Sequence, residues 1–124
     1  MNIPENHQAV MPYLMLHNAH KFIDFVLAVF DAEAGMKHFR DDGVTLMHAE
    51  LHIAGSTIMV ADATDKWPAQ TANMFVYVPN ADATYQKALD NDCTEVMPLS
   101  NQDYGRTCGV ADPFGNVWWI TSVK

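Results

Sequence analysis

The sequence predicts an α+β fold built from two tandem β-α-β-β-β modules, and three observations carry that expectation. The 124 residues are 49% hydrophobic, enough for one domain with a real core. Stretches with strand and helix periodicity alternate, separated by turn signals. The element order of the first half then recurs in the second at a shift of about sixty residues. The expected organisation is one domain over residues 1–124, with modules at 11–63 and 72–123.

The first element is "PYLML", Pro12 to Leu16, a short strand-like run. Behind Asn18, a good N-cap, Phe22, Ile23, Val26, Val29 and Phe30 recur at helical spacing. Three stretches with strand alternation follow: "EAGMKHFRD", "TLMHAELHIAG" and "STIMVADA", the last two joined at Ala54-Gly55 as a hairpin. The polar connector "TDKWPAQ", with Pro68, separates this half from the next. There "NMFVYV" reads as a strand and "NADATYQKALDND" as a helix capped by Asn80. "TEVMPL", "RTCGVAD" and "NVWWITSV" complete the second set of strands, with the turn "DPFG", Asp112 to Gly115, before the last. Overlaying the halves places Asn18-Ala19 on Asn80-Ala81, Leu27 on Leu89, Gly55 on Gly115, and Ile58-Met59 on Trp118-Trp119.

Composition removes several function classes. A formal charge of -8, with no Lys/Arg cluster, opposes the phosphate neutralisation on which nucleic-acid binding depends, and equally disfavours anionic membranes. The longest wholly apolar run, Phe25 to Phe30, is six residues, against the roughly 20 that a spanning helix needs. The start "MNIPENHQ" has no basic and apolar leader, so a cytoplasmic location is expected, with His7 in a floppy terminal segment. Cys93 and Cys108 lack C-x-x-C spacing and read as plain buried or surface thiols. No nucleophile elbow, P-loop or dinucleotide fingerprint is present.

The segments "HAELHIAGSTIMVADA" and "RTCGVADPFGNVWWIT" resemble the PhnB-like branch of the vicinal oxygen chelate superfamily, which includes glyoxalase I, bleomycin-resistance proteins and extradiol dioxygenases. The resemblance spans nearly the whole chain, Met11 to Val123. It implies a curved mixed sheet bearing a cleft, and a homodimer. Metal-dependent relatives bind a divalent ion through cleft-facing residues on the first and last strand of each module. Carried over, those positions fall on Met11, Met59, Asn73 and Trp119, none of which is an imidazole, carboxylate or thiolate. No cofactor is therefore expected at the family's usual site. Arg106 matches an arginine of the family ahead of the "DPFG" turn; it is a candidate to hold a ligand carboxylate or phosphate, or equally a partner for one of the 15 acids.

Pairing across the Ala54-Gly55 hairpin sets Ile53 against Ser56, Leu51 against Ile58 and Glu50 against Met59. Leu51, Ile53, Ile58 and Val60 then share an apolar face, while His48, Glu50 and His52 share the other with Met59. Glu50 and His48 are the candidate catalytic or hydrogen-bonding pair, because a carboxylate beside an imidazole tunes both groups. Met59, Trp119, Arg106 and His52 are the candidate ligand contacts. The alternative is a displaced divalent-metal site at His48, Glu50 and His52, since two histidines and a carboxylate form a known donor set. Against it, the outer two lie about 13 Å apart along one strand. The two functional readings are a protein that binds a small apolar or aromatic molecule, and an enzyme of lyase, isomerase or dioxygenase type. Trp118, overlaid on Ile58, is assigned to packing, and Trp119, overlaid on Met59, to the cleft.

Overall fold

A computed structural model describes residues 1–124. Its elements are β1 (Tyr13–Leu16), α1 (Ala19–Phe30), β2 (Glu33–Phe39), β3 (Leu46–Ile53), β4 (Ser56–Asp62), β5 (Asn73–Tyr77), α2 (Ala81–Asp90), β6 (Thr94–Gln102), β7 (Gly105–Ala111) and β8 (Val117–Val123). The β-α-β-β-β order occurs twice. The two modules fall in separate compact units, Met1–Thr71 and Ala72–Lys124. Each has its own four-stranded mixed sheet, ordered β1-β4-β3-β2 in the first unit and β5-β8-β7-β6 in the second. In each the first strand runs parallel to the last, as a strand-helix-strand crossover requires, and the other pairings are antiparallel.

In the first unit α1 supplies most of the core. Phe22, Ile23, Phe25, Val26, Val29 and Phe30 are buried, as are Leu14, Leu16, Leu46, Leu51 and Val60 of the sheet. Asn18 caps the helix, its side chain accepting from the Lys21 amide at 3.4 Å. Asp62, at the end of β4, ties helix and sheet together: its carboxylate accepts from the Ala19 amide at 2.9 Å and the Leu46 amide at 2.7 Å. The hairpin register agrees with the sequence expectation, with Glu50 opposite Met59, Leu51 opposite Ile58 and Ile53 opposite Ser56. Its turn holds Ala54 at φ 46° and Gly55 at φ 87°, two left-handed residues in succession. The β2–β3 register slips between the His38–His48 and Phe39–Leu46 pairs, leaving Met47 over. That bulge lets Leu46 turn inward, fully buried, while Met47 is exposed.

The second unit uses a more polar helix. Only Ala81, Thr84 and Ala88 of α2 are buried, so the sheet must contribute bulk, and Trp118 at 1% exposure does so. The turn ahead of β8 is built on Asp112. Its Oδ1 accepts from the Phe114 and Asn116 amides at 2.8 and 2.9 Å, and its Oδ2 from Asn116 Nδ2 at 3.0 Å and Trp118 Nε1 at 2.9 Å. Asn116 in turn accepts from the Ala72 amide at 3.0 Å, anchoring the start of β5. Strand β6 runs past "TEVMPL" to Gln102, with register slips on both sides of Met97 that accommodate Pro98 on an edge strand.

Candidate functional site

On the open face of the first sheet, β3 presents His48, Glu50 and His52, and β4 presents Met59 and Ala61. Tyr13, the β1 partner of Met59, lies beside them. Glu50 is the unusual member, a carboxylate whose side chain is 8% exposed. Its Oε2 lies 3.0 Å from His7 Nε2 and 3.6 Å from His48 Nε2. Burial alone acts to raise the Glu50 pKa, but the hydrogen bonds and charge of His7 and His48 outweigh it, and the net shift is downward. His48 Nδ1 is in turn 3.3 Å from the Tyr13 hydroxyl.

His7 is the main correction to the sequence reading. It does not hang in a floppy leader: the segment before β1 folds onto this face. Gln8 forms a two-point clamp on the Thr57 backbone, donating from Nε2 to the carbonyl at 2.9 Å and accepting from the amide at 3.2 Å. The Thr57 hydroxyl donates to the Asn6 carbonyl, so it must accept from His52 Nδ1 at 2.9 Å. The Nδ1 side of His52 is thereby held by Thr57, not by Glu50. His48 and Glu50 are brought together, His52 is engaged elsewhere, and no three His, Cys, Asp or Glu side chains form a group able to hold a metal ion. Nothing in the composition of "MNIPENHQ" marks it as seated; the signal is a pairing of His7 and Gln8 with partners more than forty residues away.

The same face opens into a cavity of about 670 Å³, lined by Tyr13, Met15, Phe39, Met47, Ala61 and Trp67 with Arg40 and Asp41 at its polar side. Trp67 was hidden in what reads as a polar connector. The residue is 55% exposed, and Lys66 Nζ lies 5.5 Å from its ring centroid. A lone tryptophan in a hydrophilic loop is the feature that could have flagged it.

In the second unit Trp119 is half-buried on the open face of its sheet, paired across β7 with Gly109. A Cβ on Gly109 would come within 2.6 Å of the indole, so the glycine makes room for the ring. Its Nε1 donates to Asn73 Oδ1 at 3.1 Å. In register Tyr13 lies opposite Met59 and Phe75 opposite Trp119; Asn73, two residues before Phe75, shares the face of Trp119, and Met11 precedes β1. Neither Tyr13 nor Phe75 adds an imidazole, carboxylate or thiolate. Phe75, Tyr77 and Tyr104 make an exposed aromatic cluster, with centroids 5.3 and 6.2 Å from Phe75. Arg106 is engaged by α2, donating from Nε and Nη2 to the two Asp82 carboxylate oxygens at 2.9 and 3.2 Å. Both groups answer to this pairing: the bond to Arg106 holds the Asp82 carboxyl low, and Asp82 holds the guanidinium high.

Two β-α-β-β-β modules, each with a helix on one face of a four-stranded sheet and an open face carrying polar and aromatic side chains, define a class of small cleft proteins. The sequence profile of the Glyoxalase/Bleomycin resistance protein/Dioxygenase superfamily matches residues 8–120, and the chain belongs to that superfamily. An uncharacterised protein of Mycobacterium bovis is 33% identical over 122 residues, covering 89% of this chain and 80% of its own. A Mycobacterium tuberculosis relative has the same identity, over 71% of its length. Among solved structures, TioX from Micromonospora sp. ML1 superposes with a TM-score of 0.74 at 19% identity, covering 94% of this chain and 97% of its own. The antibiotic binding protein TnmS3 from Streptomyces sp. CB03234 gives 0.72 at 16% identity, with 95% and 100% covered. The PhnB protein of Bacillus cereus gives 0.72 at 20% identity, with 94% and 100% covered. At these identities the likeness is one of fold.

Proposed function

We propose that this protein binds a small apolar or aromatic molecule on the open face of its first module. The observation that carries the proposal is the cavity of about 670 Å³, large enough for a drug-sized ligand and walled by Tyr13, Phe39 and Trp67 with two methionines. Aromatic walls supply stacking area, and Met15 and Met47 supply adaptable contact. A family neighbour described as an antibiotic binding protein makes such a role familiar on this fold. Trp119, Met59 and the exposed Phe75, Tyr77 and Tyr104 extend the inventory of surfaces suited to flat apolar groups, and a second copy of the chain is the partner proposed to cover the aromatic cluster.

The enzymatic reading rests on the Glu50–His48 pair. It is the weaker one, because a carboxylate with a lowered pKa is a poor general base at neutral pH. A divalent metal at His48, Glu50 and His52 would have to take His52 through Nε2, since Nδ1 is bonded to Thr57.

Native mass spectrometry against a panel of planar aromatic compounds tests the binding reading, with light scattering on the same sample for the dimer. A retained compound should lose about five- to tenfold in affinity in Trp67→Ala, the loss expected of a stacking partner. Unchanged affinity in Trp67→Ala and Tyr13→Ala would remove the cavity from consideration.

A further inference from the structure

The leader occupies a position whose chemistry is that of a ligand. Glu50 Oε2 is a nearly buried anionic acceptor, and the group that meets it is the imidazole of His7, brought from 43 residues away. An ionised carboxylate has no proton to give, so the imidazole donates through Nε2–H. The second imidazole, His48, stands 3.6 Å from the same oxygen. The floor around the carboxylate is shaped to let that happen. Gly35 of β2 has no side chain, and a Cβ there would fall 3.3 Å from Glu50 Cβ and 2.7 Å from His52 Nε2. On β4 the residue opposite Glu50 is Met59, which brings no charge.

The attachment of the leader is local and polar. A turn closes it, with the His7 amide donating to the Pro4 carbonyl at 3.1 Å, and the Gln8 clamp and the Asn6–Thr57 bond hold it down. Residues 1–6 are exposed and none of residues 1–8 belongs to the buried apolar core, so detaching the segment costs a handful of hydrogen bonds and the partial burial of His7 and Gln8.

We propose that Glu50, with His48 beside it, is a binding subsite for an N–H donor of the imidazole or protonated-amine class, and that His7 fills it as a built-in competitor which an arriving ligand displaces. The net charge of -8 favours the approach of such a ligand. The subsite stands on its own geometry and does not depend on the aromatic cavity being occupied.

The probe is free imidazole, titrated into the full-length protein and into His7→Ala, followed by NMR at the Glu50 side-chain carboxyl and the Thr57 amide. In His7→Ala imidazole should bind saturably, at least about tenfold tighter than in the parent protein, where it must first expel His7. Adding Glu50→Gln should weaken that binding by roughly tenfold or more, the loss expected for a hydrogen bond to a charged group. Hydrogen exchange at the Thr57 amide reports separately whether the leader has lifted, and circular dichroism whether each variant is folded. Equal imidazole affinity in the parent and His7→Ala, or saturable binding unaffected by Glu50→Gln, would overturn the proposal. So would a folded His7→Ala protein that binds no imidazole.

Discussion

Glu50 shows how one side chain can be both a cost and a contribution. A carboxylate at 8% exposure is tolerated because two imidazoles compensate its lost hydration. Its pKa is lowered from the ordinary 4.5 despite burial, so folding favours the ionised form. The stability this provides is fully present above the unfolded pKa and is lost as pH falls through the lower, folded value. Urea unfolding of the parent and Glu50→Gln should therefore show a stability difference that shrinks as pH drops below about 4.5. Parallel curves through that range would mean the carboxylate is not held by its histidines. The orientation of Glu50, its strand neighbours and its rung opposite Met59 followed from alternation and a two-residue turn. Its main partner did not. His7 is separated from it by 43 positions, and a contact of that kind leaves no periodic trace in the chain.

At the level of elements, the hairpin turn between β3 and β4 carries a correctable strain. Type I′ turns want φ > 0 at both central positions, which Gly55 meets freely at 87° and Ala54 meets at 46° against its own Cβ. Ala54→Asn should raise stability by about 1 kcal/mol, read as a higher midpoint in denaturant with an unchanged slope. A lower midpoint would show that the turn is not of this type in solution. Elements were the most legible scale, because caps, alternation and turns act within a few residues: Asn18 and Asn80 start both helices where they were expected. The irregular parts escaped for an equally local reason. The Met47 bulge and the slips in β6 arise where partner strands disagree in length, which neither strand records alone. Trp67 escaped because the cavity it lines is assembled from all four strands of the sheet and a connector at once. Arg106, read as either a ligand hook or a surface partner, forks onto Asp82 in the first turn of α2.

Across the whole molecule the repeated architecture has been filled asymmetrically. All six histidines lie in the first unit, and both cysteines in the second. Cys93 is pushed up to about 12, first by burial and then by the charges of Asp112 and Asp92, and Cys108 to about 11, chiefly by burial. With so little thiolate, neither should react with iodoacetamide at pH 8 in the folded protein, while both should label in denaturant. Labelling of one thiol under native conditions would reveal local opening of the second unit. The seated leader, finally, has a consequence at the bench. An affinity tag placed ahead of residue 1 would extend the segment that carries His7, and eluting a polyhistidine fusion would bathe Glu50 in the very heterocycle proposed to bind there. A tag after Lys124, removed without imidazole, leaves the face as the chain itself makes it.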